Sequence, residues 1–342
     1  MRRDLRRLQR LYEALARRRK LLVLTHDNPD PDSITSAWML GRIARRLRRI
    51  RVTLGYGGII GRSENRALIE VLRIPLQPLE SLDLDSFDTF ALVDTQPRTG
   101  NNSLPEDIEP TIVFDHHPCR KATRSVAYFD VREDYGATAT ILYEYLRAAD
   151  INLDWRLASA IFYAIRSETQ NLGREAARVD ARVFIDTFPF VDNEALSRIE
   201  HAPLPRSYFA MIDSAIDGTS LYAEIAVTVL GEVVYPDMVA QFADLIVRVE
   251  GIEWALCMGR FQGDLLLSLR TQETRGKAGK VIRGIVGSQG TAGGHDMIAG
   301  GKLAGAALTQ SRARRMEDLM RRRLLRELGA SGIRPSKLTR SL

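Results

Sequence analysis

LLVLTHDNPDPDS, residues 21–33, is the stretch whose reading decides the fold of this 342-residue chain. Residues 21–25 are an apolar, β-prone run of the kind that forms a strand buried in a parallel sheet. Behind it, Pro29 and Pro31 stiffen a short acidic loop that presents His26, Asp30 and Asp32 together. Taken alone, the loop also fits a capping and turn motif, since Asp, Asn, Pro and Ser are ordinary loop residues. Helical composition follows over 33–49 with Ser33 as N-cap. RVTLGY at 51–56 reads as the next strand, which makes a βαβ unit.

The pattern recurs outward from this start. A helix near 63–73 leads to FALV at 90–93, which ends in DTQ at 94–96, and after a polar loop at 97–110, TIVF at 111–114 ends in DHH at 115–117. Ligands of open α/β sheets gather just beyond the carboxyl ends of strands, so the three clusters are expected to converge. His26, Asp30, Asp32, Asp94, Asp115, His116 and His117 then supply the oxygen and imidazole donors that divalent cations need, with carboxylates able to bridge a pair. Adjacent histidines after a buried strand project to opposite sides, so His116 and His117 call for different partners. SVAYF at 125–129 is followed by helical patterns at 137–149, 154–167 and 175–187.

The fold class expected is α/β, a mainly parallel sheet flanked by helices plus a second, smaller α/β domain. The first domain spans 1–187, and Pro189, Pro203 and Pro205 mark 188–217 as a helical connector. The second domain, 218–329, contains the strand YAEIAVTVL from 222 and a helix between Pro236 and Gly251. A hairpin, WALCMGRFQGDLLLSLR, turns at Gln262, Gly263 and Asp264. Residues 330–342 read as a mobile basic tail.

Composition narrows the class. Apolar residues make up 45%, and no stretch approaches the roughly 20 apolar residues of a membrane span. The basic N-terminal segment lacks the apolar run of a secretory signal, so a cytoplasmic protein is expected. Cys119 and Cys257 are too few for a disulfide framework and read as reduced thiols. Residues 1–20 carry nine basic and two acidic side chains, and 311–342 carry ten and three, although the whole chain is only +6. These basic ends read as solvated helix faces, with a nucleic-acid patch as the alternative. Leu5, Leu8, Leu11, Tyr12 and Leu15 recur at helical spacing and predict a first helix packed on the body.

The three clusters, in this order and spacing, resemble the DHH phosphoesterase family. Its members include RecJ-like exonucleases, exopolyphosphatases, cyclic dinucleotide phosphodiesterases, and small oligoribonucleases that also dephosphorylate 3′-phosphoadenosine 5′-phosphate. SLRT at 268–271 and GTAGGH at 290–295 look like the signatures of the DHH-associated domain. The resemblance implies an active site in the cleft between the domains, holding two Mn²⁺, with Mg²⁺ or Co²⁺ as substitutes. His26, Asp30 and Asp94 would hold one ion, and Asp32, Asp94, His116 and a fourth carboxylate the other, with Asp94 as the bridge. Asp115 would support the imidazoles, His117 would face the scissile phosphate, and a water activated by both metals would attack phosphorus.

The family's usual Asp in the fourth-carboxylate segment is replaced in Ser167-Glu168-Thr169 by a residue one methylene longer, and Glu168 is expected to ligate in its place. Arg270 would clamp a phosphate, Gly293 and Gly294 would approach it through backbone N–H groups, and His295 would contact the substrate. The function implied is hydrolysis of short oligoribonucleotides, of 3′-phosphoadenosine 5′-phosphate, or of both. The alternatives are another small substrate, such as a cyclic dinucleotide or polyphosphate, and a catalytically impaired nucleotide- or RNA-binding protein. A short RNA or nucleotide phosphate is the partner implied, with no membrane and room for a homodimer.

Overall fold

The computed structural model describes residues 2–294, 296–307 and 309–339. His295, expected at the substrate, lies outside the described residues. The chain divides into two units, Met1–Ala202 and Pro203–Leu342.

Unit 1 runs α1 (Arg2–Ala14), β1 (Lys20–Leu24), α2 (Pro31–Leu47), β2 (Arg51–Tyr56), α3 (Ser63–Leu72), β3 (Leu76–Pro78), β4 (Thr89–Val93), β5 (Ile112–Asp115), β6 (Tyr128–Val131), α4 (Thr138–Ala148), α5 (Trp155–Glu168), α6 (Arg178–Thr187) and α7 (Asn193–Glu200). Its sheet is parallel throughout, in the order β3-β2-β1-β4-β5-β6. The chain winds outward one way from β1 and then the other way from β4, so β1 and β4 flank a topological switch point, where open α/β sheets place ligands. Both strands are almost wholly apolar and buried, as strands covered on both faces must be. Leu8 and Leu11 of α1, and Leu15 just after it, sink into the core while Leu5 remains 49% exposed, so the first helix does pack on the body. Each such buried leucine contributes about 1.5–3 kcal/mol.

Unit 2 runs α8 (Arg206–Gly218), β7 (Thr219–Tyr222), β8 (Ile225–Glu232), α9 (Met238–Ile246), β9 (Trp254–Phe261), β10 (Asp264–Thr271), α10 (Ala278–Val286), β11 (Thr291–Gly294), β12 (Ile298–Leu303), α11 (Gln310–Glu327) and β13 (Ser336–Lys337). The sheet order is β11-β12-β10-β9-β8-β7-β13, antiparallel except between β8 and β9. Alternate residues of β8 and β9 serve opposite faces. Val227, Leu256 and Met258 pack with α10 and α11, whereas Ala226, Ala255 and Cys257 pack with α8 and α9.

Several boundaries depart from the sequence reading. The run read as one strand from 222 is a hairpin, broken where Ala223 takes the left-handed conformation (φ 51°) between β7 and β8. The helix expected between Pro236 and Gly251 holds α-helical hydrogen bonding only over Met238–Ile246. Residues 188–217 form no separate connector, because α7 belongs to unit 1 and α8 to unit 2. The tail is structured at Ser336–Lys337, which extend the sheet by pairing with β7, and Lys337 Nζ donates to the Asp217 carbonyl at 2.6 Å.

Gly293 and Gly294 lie in a strand rather than a turn, paired with Gly300 and Ala299 of β12. Their tolerances differ. A Cβ on Gly294 (φ 146°) would fall 2.3 Å from the Ile298 carbonyl oxygen, whereas one on Gly293 meets nothing within 4 Å. Gly294→Ala is therefore expected to destabilise unit 2 by about 1–3 kcal/mol and Gly293→Ala to leave its melting temperature unchanged. Equal melting shifts for the two would refute the steric assignment.

Candidate metal centre

The loop after β1 is built around a helix start. Asp30, not Ser33, is the N-cap of α2: its Oδ1 accepts from the Ser33 N–H at 2.9 Å, and its own N–H donates to Ser33 Oγ at 3.1 Å. Pro31 occupies the first helical position, where its missing N–H costs nothing. The loop is held from outside by the Asp27 N–H on the Asn101 carbonyl (2.7 Å) and the Asn28 N–H on the Gly57 carbonyl (3.0 Å). A Cβ at Gly57 would lie 2.0 Å from Asp27 Oδ1, so a larger residue there would displace the Asp27 side chain.

Two histidines have their tautomers fixed by backbone. His26 Nδ1 lies 2.9 Å from the Asp27 carbonyl and His116 Nδ1 lies 3.1 Å from the Tyr135 carbonyl. A carbonyl only accepts, so each Nδ1 carries a hydrogen and Nε2 is the nitrogen that can offer a lone pair to a cation once it holds no proton. These Nε2 atoms face Asp94. His26 Nε2 is 3.6 Å from Asp94 Oδ2 and 3.6 Å from Asp30 Oδ1, while His116 Nε2 is 3.6 Å from Asp94 Oδ1. Such separations are too long for hydrogen bonds and suit donors that share a cation. His116 Nε2 is moreover a buried atom with no hydrogen-bond partner. Two donor groups result, His26–Asp30–Asp94 and Asp94–His116–His117, joined at Asp94. Asp94 itself is in the left-handed conformation (φ 58°), a tolerable but strained backbone for Asp that recurs at functional sites.

The surrounding contacts come mostly from backbone. Asp32 is fully buried, with Oδ2 accepting from the Thr138 N–H (2.7 Å) and Oδ1 from the Ala139 N–H (2.8 Å) at the start of α4. Thr138 also donates its hydroxyl to Asp94 Oδ1 at 2.9 Å. Asp115 Oδ1 accepts from the N–H groups of His116 (2.8 Å) and His117 (3.2 Å) and lies 2.9 Å from His117 Nδ1. Its Oδ2 accepts from Gln96 Nε2 at 2.6 Å, and Gln96 Oε1 accepts from the Arg120 N–H and the Thr123 hydroxyl, both at 2.7 Å. Gln96 is thereby locked in one amide orientation. Glu168 is the last residue of α5 and half-buried.

The electrostatics are those of a crowded, desolvated carboxylate cluster. Burial and the Asp94 and Asp30 charges push Asp32 well up. Burial and Asp30 raise Asp94 to about 6, against the pull of His117 and His26. Burial and Asp30 raise Glu168, against His116, and the Glu168 charge in turn acts on Asp32. Burial opposes charge on His26, but Asp30 and Asp94 outweigh it and raise the imidazole to about 10. At Asp115 the hydrogen bond from His117 overcomes burial and holds the carboxyl at about 2. The same contact overcomes burial at His117 and carries it to about 10. Burial and neighbouring His117 depress His116. A carboxylate cluster this crowded, which holds protons on His26 and His117 when no ion is bound, fits a site for cationic charge.

Arg270, Gly293 and Gly294 belong to unit 2. Arg270 is 8% exposed, and its Nε donates to Asp244 Oδ1 at 2.5 Å and its Nη1 to Ser268 Oγ at 2.7 Å. The arginine expected to be available for a phosphate is thus already matched by an acid of α9. Tyr135, Thr138 and Gln96 are the supporting residues to which the sequence reading gave no role. The glutamine of DTQ, two residues past Asp94, was a signal for one of them.

Donor-bearing loops at the carboxyl ends of three adjacent parallel strands define an α/β domain with a candidate metal centre. Residues 20–165 match the model of the DHH family, N-terminal domain. An uncharacterised protein of Methanocaldococcus jannaschii is 33% identical over 285 residues, which is 83% of this chain and 58% of that protein. A probable manganese-dependent inorganic pyrophosphatase of Listeria monocytogenes is 26% identical over 150 residues, 44% of this chain and 48% of that one. The alignments thus span about half of these relatives' own length. An exopolyphosphatase-related protein from Bacteroides fragilis shares the fold, with a TM-score of 0.72 at 12% identity over 93% of this chain and 96% of its own. Among the described residues, no helix is long and apolar enough to cross a membrane.

Proposed function

We propose that the chain is a metal-dependent phosphohydrolase for short oligoribonucleotides, 3′-phosphoadenosine 5′-phosphate, or both. One observation carries the reading: the two oxygens of Asp94 each face Nε2 of a different histidine at 3.6 Å. His26, Asp30 and Asp94 would hold one divalent cation, and Asp94, His116, Asp32 and Glu168 a second. Mn²⁺ is favoured by mixed imidazole and carboxylate donors and by the manganese dependence in the name of the Listeria relative. Bound there, such cations would neutralise phosphate charge and acidify water.

The chain's own residues supply the rest. Asp115 takes up the Nδ1 side of His117, whose ring is 43% exposed, and so orients that imidazole toward a phosphate oxygen or leaving group. The carbonyls of Asp27 and Tyr135 keep the ligand tautomers of His26 and His116. Incubating the protein with Mn²⁺ and a panel of dinucleotides, the bisphosphate, cyclic dinucleotides and polyphosphate tests the reading. Release of mononucleotide or phosphate from the first two is expected, and turnover confined to the last two would reassign the substrate.

Glu168 motivates a second reading, a nucleotide- or RNA-binding protein of impaired activity. Its extra methylene alters the reach of the carboxylate at the second ion. If Glu168 ligates, Glu168→Gln weakens the second Mn²⁺ event in calorimetry by about 10- to 100-fold. Unaltered metal binding in that variant, with tight nucleotide binding but no turnover in the parent, would favour the binding protein.

A further inference from the structure

The direction of the His116 ring depends on a residue outside every metal-ligand cluster. Its Nε2 is buried without a hydrogen-bond partner, so the hydrogen bond that orients the ring is the one from Nδ1 to the Tyr135 carbonyl at 3.1 Å. Tyr135 lies in the turn between β6 and α4, directly after the exposed Glu133 and Asp134. A carbonyl on such a surface turn keeps one direction only if something grips its residue.

Arg132 supplies that grip. It is only 6% exposed, and a guanidinium is tolerated in such a place when acids match it. Nε and Nη2 fork onto the two oxygens of Asp130 at 2.9 and 2.7 Å, and Nη1 donates to Glu144 Oε2 at 2.5 Å. The same Nη1 donates to the Tyr135 hydroxyl at 2.8 Å, and that hydroxyl gives its own proton to Glu144 Oε1 at 2.8 Å. Two further contacts complete the hold. The Tyr135 N–H donates to the Arg132 carbonyl at 3.2 Å, and the guanidinium stands 4.8 Å from the centroid of the Tyr135 ring. The Arg132 N–H in turn donates to the Asp115 carbonyl at 3.0 Å, which ties the turn to the strand end that carries His116.

His26 is supported from elsewhere. The Asp27 carbonyl that holds its Nδ1 belongs to a residue pinned by the loop after β4, through the Asn101 carbonyl at 2.7 Å and Ser103 Oγ on Asp27 Oδ1 at 2.8 Å. None of these contacts involves Arg132.

We propose that Arg132 is a positioning residue for His116, acting through Tyr135, and that it thereby sets the affinity of the ion held by His116 without affecting the ion held by His26. The consequence for the ions rests on the metal-centre reading above. The orientation of the ring does not.

Calorimetry of Mn²⁺ binding to the full chain tests the proposal, with His116→Gln marking the event that depends on this imidazole. Tyr135→Phe, which loses the hydroxyl and keeps the ring, and Arg132→Lys, which keeps the charge and loses the fork, should each weaken the marked event about tenfold. The other event should be unchanged. Should Arg132→Lys fail to fold, as thermal melting of the metal-free variants would reveal, Tyr135→Phe decides. Ser103→Ala, on the His26 side, should leave the marked event as it is in the parent. Equal weakening of both events in Tyr135→Phe, no weakening of either, or an equal loss of the marked event in Ser103→Ala would overturn the role.

Long-range proton–nitrogen spectra of the imidazoles in the metal-free protein supply a readout that stability alone does not move. At neutral pH His116 should be the Nδ1–H tautomer in the parent and a mixture of tautomers in Tyr135→Phe. Identical His116 spectra in the two would overturn the positioning. If the parent binds no Mn²⁺, the metal-centre reading falls, and the spectra still decide the role of Arg132.

Discussion

Asp94→Asn is expected to remove hydrolysis and Mn²⁺ binding together. Asparagine keeps the volume and tolerates the left-handed backbone at this position (φ 58°), so the fold is retained. Its amide offers one weaker oxygen and one N–H donor where two carboxylate oxygens now face His116 and His26. A bridging ligand organises both ion positions, and the several kcal/mol of charge stabilisation at stake correspond to a rate loss on the order of 10³-fold or more.

Calorimetry and thermal melting check this without reference to turnover. Saturating Mn²⁺ at a hundred times its dissociation constant should stabilise the parent by about 2.7 kcal/mol, because it relieves the repulsion that raises Asp32 and Asp94. Asp94→Asn should show almost none of that gain. Arg270→Ala, in the other unit, should keep the full metal-dependent melting shift. Equal metal responses in the two variants would remove Asp94 from the bridging role.

The second large effect concerns Asp180, which touches no proposed ligand. It is fully buried, and its Oδ2 accepts from the N–H groups of Gly136 (2.8 Å) and Ala177 (2.7 Å), while Oδ1 accepts from the Thr140 hydroxyl at 2.5 Å. Alanine would strand three donors in the interior. At about 1–3 kcal/mol each before relaxation, the expected loss for the metal-free protein is about 3–5 kcal/mol. That corresponds to a fall in melting temperature of roughly 10 °C.

A functional consequence follows from sequence proximity. Gly136 is bonded directly to Tyr135, and the same turn supplies the N–H groups that engage Asp32. Mn²⁺ affinity should therefore fall along with stability, and Asp180→Asn, which keeps one acceptor, should recover part of both. An unchanged urea midpoint in Asp180→Ala would refute the arrangement.

The ligand clusters were readable because each directly follows an apolar run, so strand ends and chemistry coincide in the same few residues. The open-sheet rule then brought them together, and the structure places them on β1, β4 and β5, neighbours across the switch point. The supporting layer was not readable in this way. Tyr135 and Ala139 act through backbone groups, which carry no side-chain signature, and Asp180 reaches Gly136 across 44 positions. Local errors have local causes. Proline at 31 was a sufficient sign that Asp30, not Ser33, begins α2. Ala223 breaks a β-prone run at a left-handed position without the glycine that usually marks one. Arg270 was read without its partner, because Asp244 lies on a helix whose pairing with that strand only tertiary structure reveals.

Pairing of β13 with β7 joins the first strand of unit 2 to its last. Such a closure is non-local, so its loop entropy is lost late and no short fragment can anticipate it. During synthesis the parallel sheet of unit 1 can assemble as its strands emerge, whereas the border strand β7 must wait, one side unpaired, until almost the whole of its unit has left the ribosome. During that interval the free side of β7 is open to pairing with the wrong neighbour.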